Sequence, residues 1–261
     1  MDLRHRQLLE QLAACPVVEL RGVVGPNGAG LSKTMKDPRW MLRFGFEAWR
    51  MGDRLATQPI TVRRHVADDE RARFDMLMTP YSVVSIRARV SVDLVEALLE
   101  EFVGVVTDDS ELNAIAARLQ EPVTCLDPAL GTFTLERQYD WFSATVNWEG
   151  KPITLTLPER EFNEGLRIAH ALFREQARWN QRILEYAAEE LVSLKNESWR
   201  DEDECAVTSD EFKARMSLYT ISVNSSGTFE FWYHDDDLFY GHSILVKGSP
   251  VDGPTSADIA G

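Results

Sequence analysis

Gly227-Thr228-Phe229-Glu230-Phe231-Trp232-Tyr233-His234-Asp235-Asp236-Asp237-Leu238-Phe239-Tyr240-Gly241-His242-Ser243-Ile244-Leu245-Val246 is where the chain concentrates its aromatic and ionisable groups. Phe229, Phe231 and Tyr233 alternate with Glu230, Trp232 and His234, the period-two pattern of a strand with two unlike faces. Asp235, Asp236 and Asp237 break that run, because three adjacent carboxylates repel one another and favour water. After Gly241 the β pattern resumes with Ile244, Leu245 and Val246. The stretch therefore predicts two strands joined by an acidic loop, with His234 on the entry side and His242 on the exit side.

Working outward from this hairpin, Leu218–Val223 pairs with Thr228–Tyr233 across the turn Asn224-Ser225-Ser226-Gly227. Thr208 followed by Glu211 forms a capping box that starts a helix over 209–216. Upstream, Phe162, Leu166, Ala169, Phe173 and Ala177 recur at helical spacing. Leu184, Ala187, Leu191 and Leu194 continue the stripe, so residues 160–196 form one long helix or two with a bend near Asn180. Before them, 131–137, 140–148 and 153–157 read as a three-stranded meander with a compact Glu149-Gly150 turn. Beyond Val246 the Gly/Pro/Ser-rich end reads as a tail.

The first half reads as a smaller mixed unit. A short amphipathic helix covers 2–14, and strands fall at 17–24, 40–49, 60–65 and 81–92. A helix is expected near residues 68–78 and another over 110–119 with Ser110 as its N-cap, while 93–107 fits helix or strand. Gly25-Pro26-Asn27-Gly28-Ala29-Gly30 matches the opening of a phosphate-binding loop, but Leu31 occupies the position where that chemistry needs lysine, so a glycine-rich turn between strands is the better reading. Pro122–Pro128 supplies the linker. The fold class expected is α+β: an N-terminal small mixed α/β unit with a curled sheet over 1–125, and a C-terminal antiparallel sheet packed against one long or two shorter helices over 126–261.

Charge divides the same way. The 261 residues carry a net charge of -14, yet residues 1–125 hold 16 Lys and Arg against 18 Asp and Glu, and residues 126–261 hold 12 against 24. An acidic second half disfavours nucleic acid, whose binding depends on cations that neutralise phosphates, and favours a basic protein partner or cations. Cys15, Cys125 and Cys205 have no paired spacing and read as reduced thiols of a cytoplasmic protein. Leu12-Ala13-Ala14-Cys15 matches the end of a lipoprotein signal, but Gln7, Glu10 and Gln11 interrupt any apolar run before it, and no stretch approaches the ~20 apolar residues of a membrane span. No membrane partner is expected.

Leu130-Gly131-Thr132-Phe133-Thr134-Leu135, Leu194-Lys195-Asn196 with Trp199 and 201–204, Phe229-Glu230-Phe231-Trp232 and Leu238-Phe239-Tyr240-Gly241-His242 occur in this order. Over residues 126–261 they resemble an uncharacterised bacterial family, domain of unknown function 2262. The resemblance implies a bacterial cytoplasmic protein with a self-contained second domain, and it implies no activity.

Two functions from different classes follow. The first is a non-catalytic recognition domain whose acidic, aromatic-bearing surface around Trp199, Asp201, Asp203, Trp232, Phe239 and Tyr240 meets a basic protein. The second is a metal-dependent hydrolase in which His234, Asp235, Asp236, Asp237 and His242 hold a divalent ion that activates water. Asp201 and Asp203 begin like a calcium loop, but Ala206 and Phe212 stand where glycine and a bidentate Glu are required. A solvated loop that caps the sheet edge explains the same carboxylates without chemistry, so no cofactor is assigned and no catalytic residue is named.

Overall fold

The computed structural model describes residues 3–33, 39–68, 70, 74, 77–201 and 203–261. The chain forms two compact units, Met1–Glu121 and Pro122–Gly261. The division falls slightly earlier than the sequence reading because the expected linker already contains a strand of the second sheet.

In the first unit, α1 (Leu3–Ala13) precedes β1 (Val17–Val24), β2 (Gly30–Ser32), β3 (Trp40–Met51), β4 (Arg54–Ala56), β5 (Ile60–Val66), β6 (Val83–Val90), β7 (Glu96–Val105) and α2 (Ser110–Gln120). The segment read as ambiguous is thus a strand, β7, and the helix expected near 68–78 lies largely outside the described residues. β1 pairs with both β3 and β6, and β5 pairs with both β3 and β7, so the sheet closes on itself as a five-stranded barrel. Taken in chain order, the barrel strands neighbour one another as first, second, third, fifth, fourth and back to first, with only the third and fifth parallel. That is the strand order of an OB-type Greek-key barrel. Leu20, Leu42, Phe44, Phe46, Ile60, Val62, Val84, Ile86, Ala97 and Leu99 fill the interior. Leu112 and Ala116 of α2 cover a smaller outer cluster with Val23, Ala48, Val83 and Val106. Asp109, not Ser110, caps α2 by accepting from the Leu112 N–H. The Gly-rich turn leads into β2, which pairs with β3 as a strand would and not as a phosphate loop.

The second unit is one eight-stranded sheet: β8 (Thr124–Asp127), β9 (Gly131–Glu136), β10 (Trp141–Trp148), β11 (Lys151–Pro158), β12 (Ser217–Val223), β13 (Phe229–His234), β14 (Ser243–Ser249) and β15 (Gly253–Ala260). Neighbours in sequence are neighbours in the sheet. All pairs are antiparallel except β11 with β12, which run parallel at the centre. That connection carries α3 (Phe162–Arg174), α4 (Gln176–Ser198) and α5 (Ser209–Arg215). The long helical pattern is therefore two helices, and the break lies at Glu175 (φ -129°, ψ 41°), not near Asn180. The expected tail is an edge strand, β15, whose Pro254 sits at its second position, where a missing N–H is tolerated.

Alternation sorts the sheet cleanly. Phe133, Phe142, Ala144, Val146, Trp148, Ile153, Leu155, Ile221, Val223, Phe229, Phe231, Tyr233, Ile244 and Val246 face the helices and form one core with Ile168, Leu172, Ile183, Ala187 and Leu191. The intervening residues, such as Ser143, Thr145, Thr154, Thr156, Ser222, Glu230 and Trp232, face the other way.

A glycine sets the packing of the barrel. A Cβ on Gly22 would stand 2.4 Å from Cγ of Phe46, a ring buried in the interior. Gly22→Ala is expected to destabilise by about 1–3 kcal/mol through overpacking. Gly104→Ala, where a Cβ meets nothing within 4 Å, serves as the control and should stay within about 0.5 kcal/mol. Urea unfolding of both variants tests the difference.

Candidate functional site

The acidic residues singled out by sequence occupy two loops that the fold pins together. At the end of α4, Lys195 is 1% exposed, and its ammonium donates to the Trp199 carbonyl (2.8 Å) and to Oε2 of Glu204 (2.6 Å). Asn196 donates to the Val207 carbonyl (3.0 Å) and accepts from the Val207 N–H (2.8 Å). Thr208 and Glu211 then close the expected capping box and start α5. The Lys195-Asn196 pair is thus a clasp that folds the acidic loop back onto its own helix. Lys195, set against burial, holds the Glu204 carboxyl below its ordinary range.

The tip between β13 and β14 is built by its first carboxylate. Asp235 is buried, and its Oδ2 accepts from the N–H groups of Phe239 (2.6 Å) and Gly241 (3.3 Å). Asp236 (φ 45°), Asp237 (φ 59°) and Tyr240 (φ 57°) adopt left-handed backbone, which Asp tolerates better than most residues. Arg215 bonds the Asp236 carbonyl, lies 3.4 Å from its carboxylate and 4.0 Å from that of Glu204. Tyr240 donates to Asp201 (2.9 Å), a bond that raises the phenol above its usual range. Trp199 packs edge-on against Phe239 and His242 and at a tilt against Tyr240, each at 5.6 Å.

Trp199, Asp201, Phe239, Tyr240 and His242 therefore come together, but two expectations change. Phe239 is buried in the core beside Phe212 and does not belong to a surface. The two histidines diverge: His234 stacks on Tyr219 at 4.3 Å, and Tyr219 in turn bonds Ser243, whereas His242 turns toward Trp199. Residues Asp203 and Asp237 are exposed. Among the described residues no three His, Cys, Asp or Glu side chains are grouped so as to hold a metal ion.

The face of the sheet away from the helices carries a site that the sequence did not reveal. A cleft of about 530 Å³ runs across β9 to β13, lined by Glu136, Tyr139, Asp140, Trp141, Tyr219, Glu230 and Trp232 together with Thr154, Thr156, Ser222 and Asn224. Tyr139 and Trp141 stack at 4.6 Å with planes 27° apart. The Trp141 indole N–H is shielded and has no hydrogen-bond partner among the described residues. Glu136 accepts from Ser143 (2.5 Å), Thr156 bonds Ser222 (2.9 Å), and Glu230 lies 3.6 Å from Lys247 of β14. Among the described lining residues, three are carboxylates, four are aromatic and none is basic. The lining is drawn from five strands and the turns between them, so only the strand order assembles it. Of the residues proposed from sequence, Trp232 is the one among the described lining residues, and His234 touches the cleft through Tyr219.

A second buried carboxylate is structural. Asp127 closes the β8–β9 turn by accepting from the N–H groups of Ala129 (3.0 Å) and Leu130 (2.8 Å), and it meets Nε2 of His170 on α3 at 3.0 Å. Burial pushes this carboxyl up, but the Leu130 N–H, His170 and the Ala129 N–H together hold it below the ordinary range.

Fold and cleft define a two-unit protein, a closed Greek-key barrel followed by a half-covered sheet with an acidic, aromatic groove. The chain belongs to the family described as "Uncharacterized protein conserved in bacteria (DUF2262)", whose model matches residues 127–259; residues 5–119 match a "Domain of unknown function (DUF7021)". No curated protein matches the sequence. Two crystal structures of the single-stranded DNA binding protein from Thermus aquaticus, a deletion mutant and the wild type, are 11% and 10% identical to this chain. They cover 58% and 57% of it and 78% and 76% of their own chains, each with a TM-score of 0.25. No described helix is long and apolar enough to cross a membrane.

Two outcomes follow from this geometry. Lys195→Ala removes the two bonds that Lys195 gives the clasp and leaves a void, and should cost about 2–3 kcal/mol in chemical denaturation. Asp127 has a folded pKa below its unfolded value, so its stabilisation is complete above the ordinary carboxylate range and is lost as pH falls through the depressed value. The stability gap between wild type and Asp127→Asn, followed by thermal melting, should therefore narrow as pH drops below about 4.

Proposed function

We propose that the C-terminal unit is a non-catalytic recognition domain that binds a basic segment of a partner protein in the cleft on the open face of its sheet. The observation that carries this reading is the lining itself: Glu136, Asp140 and Glu230 placed around Trp141, Trp232, Tyr139 and Tyr219, with no cation among the described lining residues. Lysine and arginine side chains are attracted both by carboxylates and by the negative faces of aromatic rings, most strongly where water is partly excluded. The 12 basic against 24 acidic residues of 126–261 add a long-range field of the right sign and raise the encounter rate with a basic partner.

This reading moves the recognition surface from the acidic tip to the sheet face. At the tip Asp235 is taken up by backbone N–H groups and Asp236 lies beside Arg215, whereas the cleft aromatics stand among Glu136, which accepts from Ser143, Glu230, 3.6 Å from Lys247, and the exposed Asp140. A polyanionic ligand is disfavoured in the barrel as well. Arg21, Arg50, Arg63, Arg64, Arg87 and Arg89 each face a carboxylate there, so these cations are already neutralised.

The test is a titration of the full chain with Lys/Arg-rich and Asp/Glu-rich peptides of equal length, at low and high salt. Binding of the basic peptide only, weakened by salt and reduced at least about tenfold by Trp232→Ala or Glu230→Lys, is the expected result. Absence of any basic-peptide binding at low salt, or binding indifferent to both substitutions, contradicts the proposal.

A further inference from the structure

On the opposite, helix-covered face of the same sheet, two polar groups are left without partners in the core. Trp148 of β10 and Tyr233 of β13 are 2% and 1% exposed, and neither the indole N–H nor the phenol O–H has a hydrogen-bond partner among the described residues. A buried donor left unpaired forfeits its hydration with nothing in return, so a fold that keeps two of them on one cavity calls for an acceptor. Both side chains line one cavity of about 220 Å³ between the sheet, α4 and α5. Ile153, Leu184, Met216 and Leu218 give it apolar walls, and Asn180, Lys151 and Lys213 stand with them. The cavity shares Asn180, Leu184, Lys213 and Ala214 with a more open hollow of about 480 Å³ along α4.

We propose that this cavity binds a small organic acid, with an apolar body against the Ile153, Leu184 and Met216 walls and acceptor oxygens that take the donors of Trp148, Tyr233 and Lys151. An indole N–H can only donate, which fixes the occupant's side of that bond as an acceptor. Burial pushes the Tyr233 phenol up, so it remains protonated and donates as well. Lys151 has no ion pair among the described residues, while Lys213 is shared with Asp210 at 2.9 Å. Glu149 and Glu185 stand at the rim and restrict how much negative charge the site accepts, which favours a monoanion over a polyphosphate. This site is independent of the basic-segment cleft, since its lining residues come from the other face of the sheet.

The experiment uses the full chain with hexanoate and phenylacetate, and hexanamide and phenylacetamide as uncharged counterparts, each to about 10 mM. The readouts are melting temperature and the Trp148 indole N–H resonance, identified by its loss in Trp148→Phe. The acids should raise the melting temperature and shift that resonance saturably, and the amides should do so at least about fivefold more weakly. Tyr233→Phe, which removes only the hydroxyl, and Lys151→Met, which lies at the surface, should each weaken acid binding at least about fivefold without loss of fold. If neither acids nor amides shift the resonance, the cavity holds only water and the proposal fails. Equal binding of acids and amides, or no effect of either substitution, overturns the assigned chemistry. Trp232→Ala should leave acid binding unchanged.

Discussion

All the described helices of the C-terminal unit lie in a single connection, between β11 and β12, so they cover only one face of an eight-stranded sheet. The rest of the structure follows from that constraint. The covered face must be apolar along every strand, and it is, from Phe133 to Val246. The other face must be polar or half-polar along every strand, and its threonines, serines, carboxylates and tryptophans are the groups from which the cleft is made. The parallel junction at the centre places two four-stranded meanders side by side, which brings Glu136 and Trp141 of one within reach of Tyr219, Glu230 and Trp232 of the other.

The clasp at the end of α4 serves the same arrangement. A helix of this length must hand the chain back to the sheet without leaving its last carbonyls and a run of carboxylates unpartnered. Lys195 and Asn196 satisfy both needs, and Arg215 and Tyr240 tie the acidic loop to the β13–β14 tip. Asp235 organises its own loop, and Glu204 receives a buried ammonium.

Much of this architecture was legible in the sequence. The alternation of Phe229, Phe231 and Tyr233, the Thr208 capping box and the Glu149-Gly150 turn carry their own local physics, and all appear where expected. Other features were hidden because no local pattern encodes them. Pro254 and the small residues around it disguise β15, which is a strand only because β14 pairs with it. Residues 93–107 fit two periods until pairing with β5 and β6 selected the strand. The cleft draws on five strands, so the signal existed in Trp141, Glu136 and Tyr219 but not the proximity. Phe239 was misplaced because an aromatic beside Tyr240 and three aspartates reads as surface, whereas the tight loop turns it inward.

The proposed recognition of a basic segment requires that the sheet-face cleft, and not the acidic tip, take a cationic ligand. Mapping amide and indole resonances of the full chain as a Lys/Arg-rich peptide is added tests this directly. Shifts clustered on β10 to β13, with the Trp141 and Trp232 indole N–H groups moving most, are the predicted result. Shifts confined to the 235–241 tip, with both indoles unmoved, would contradict it.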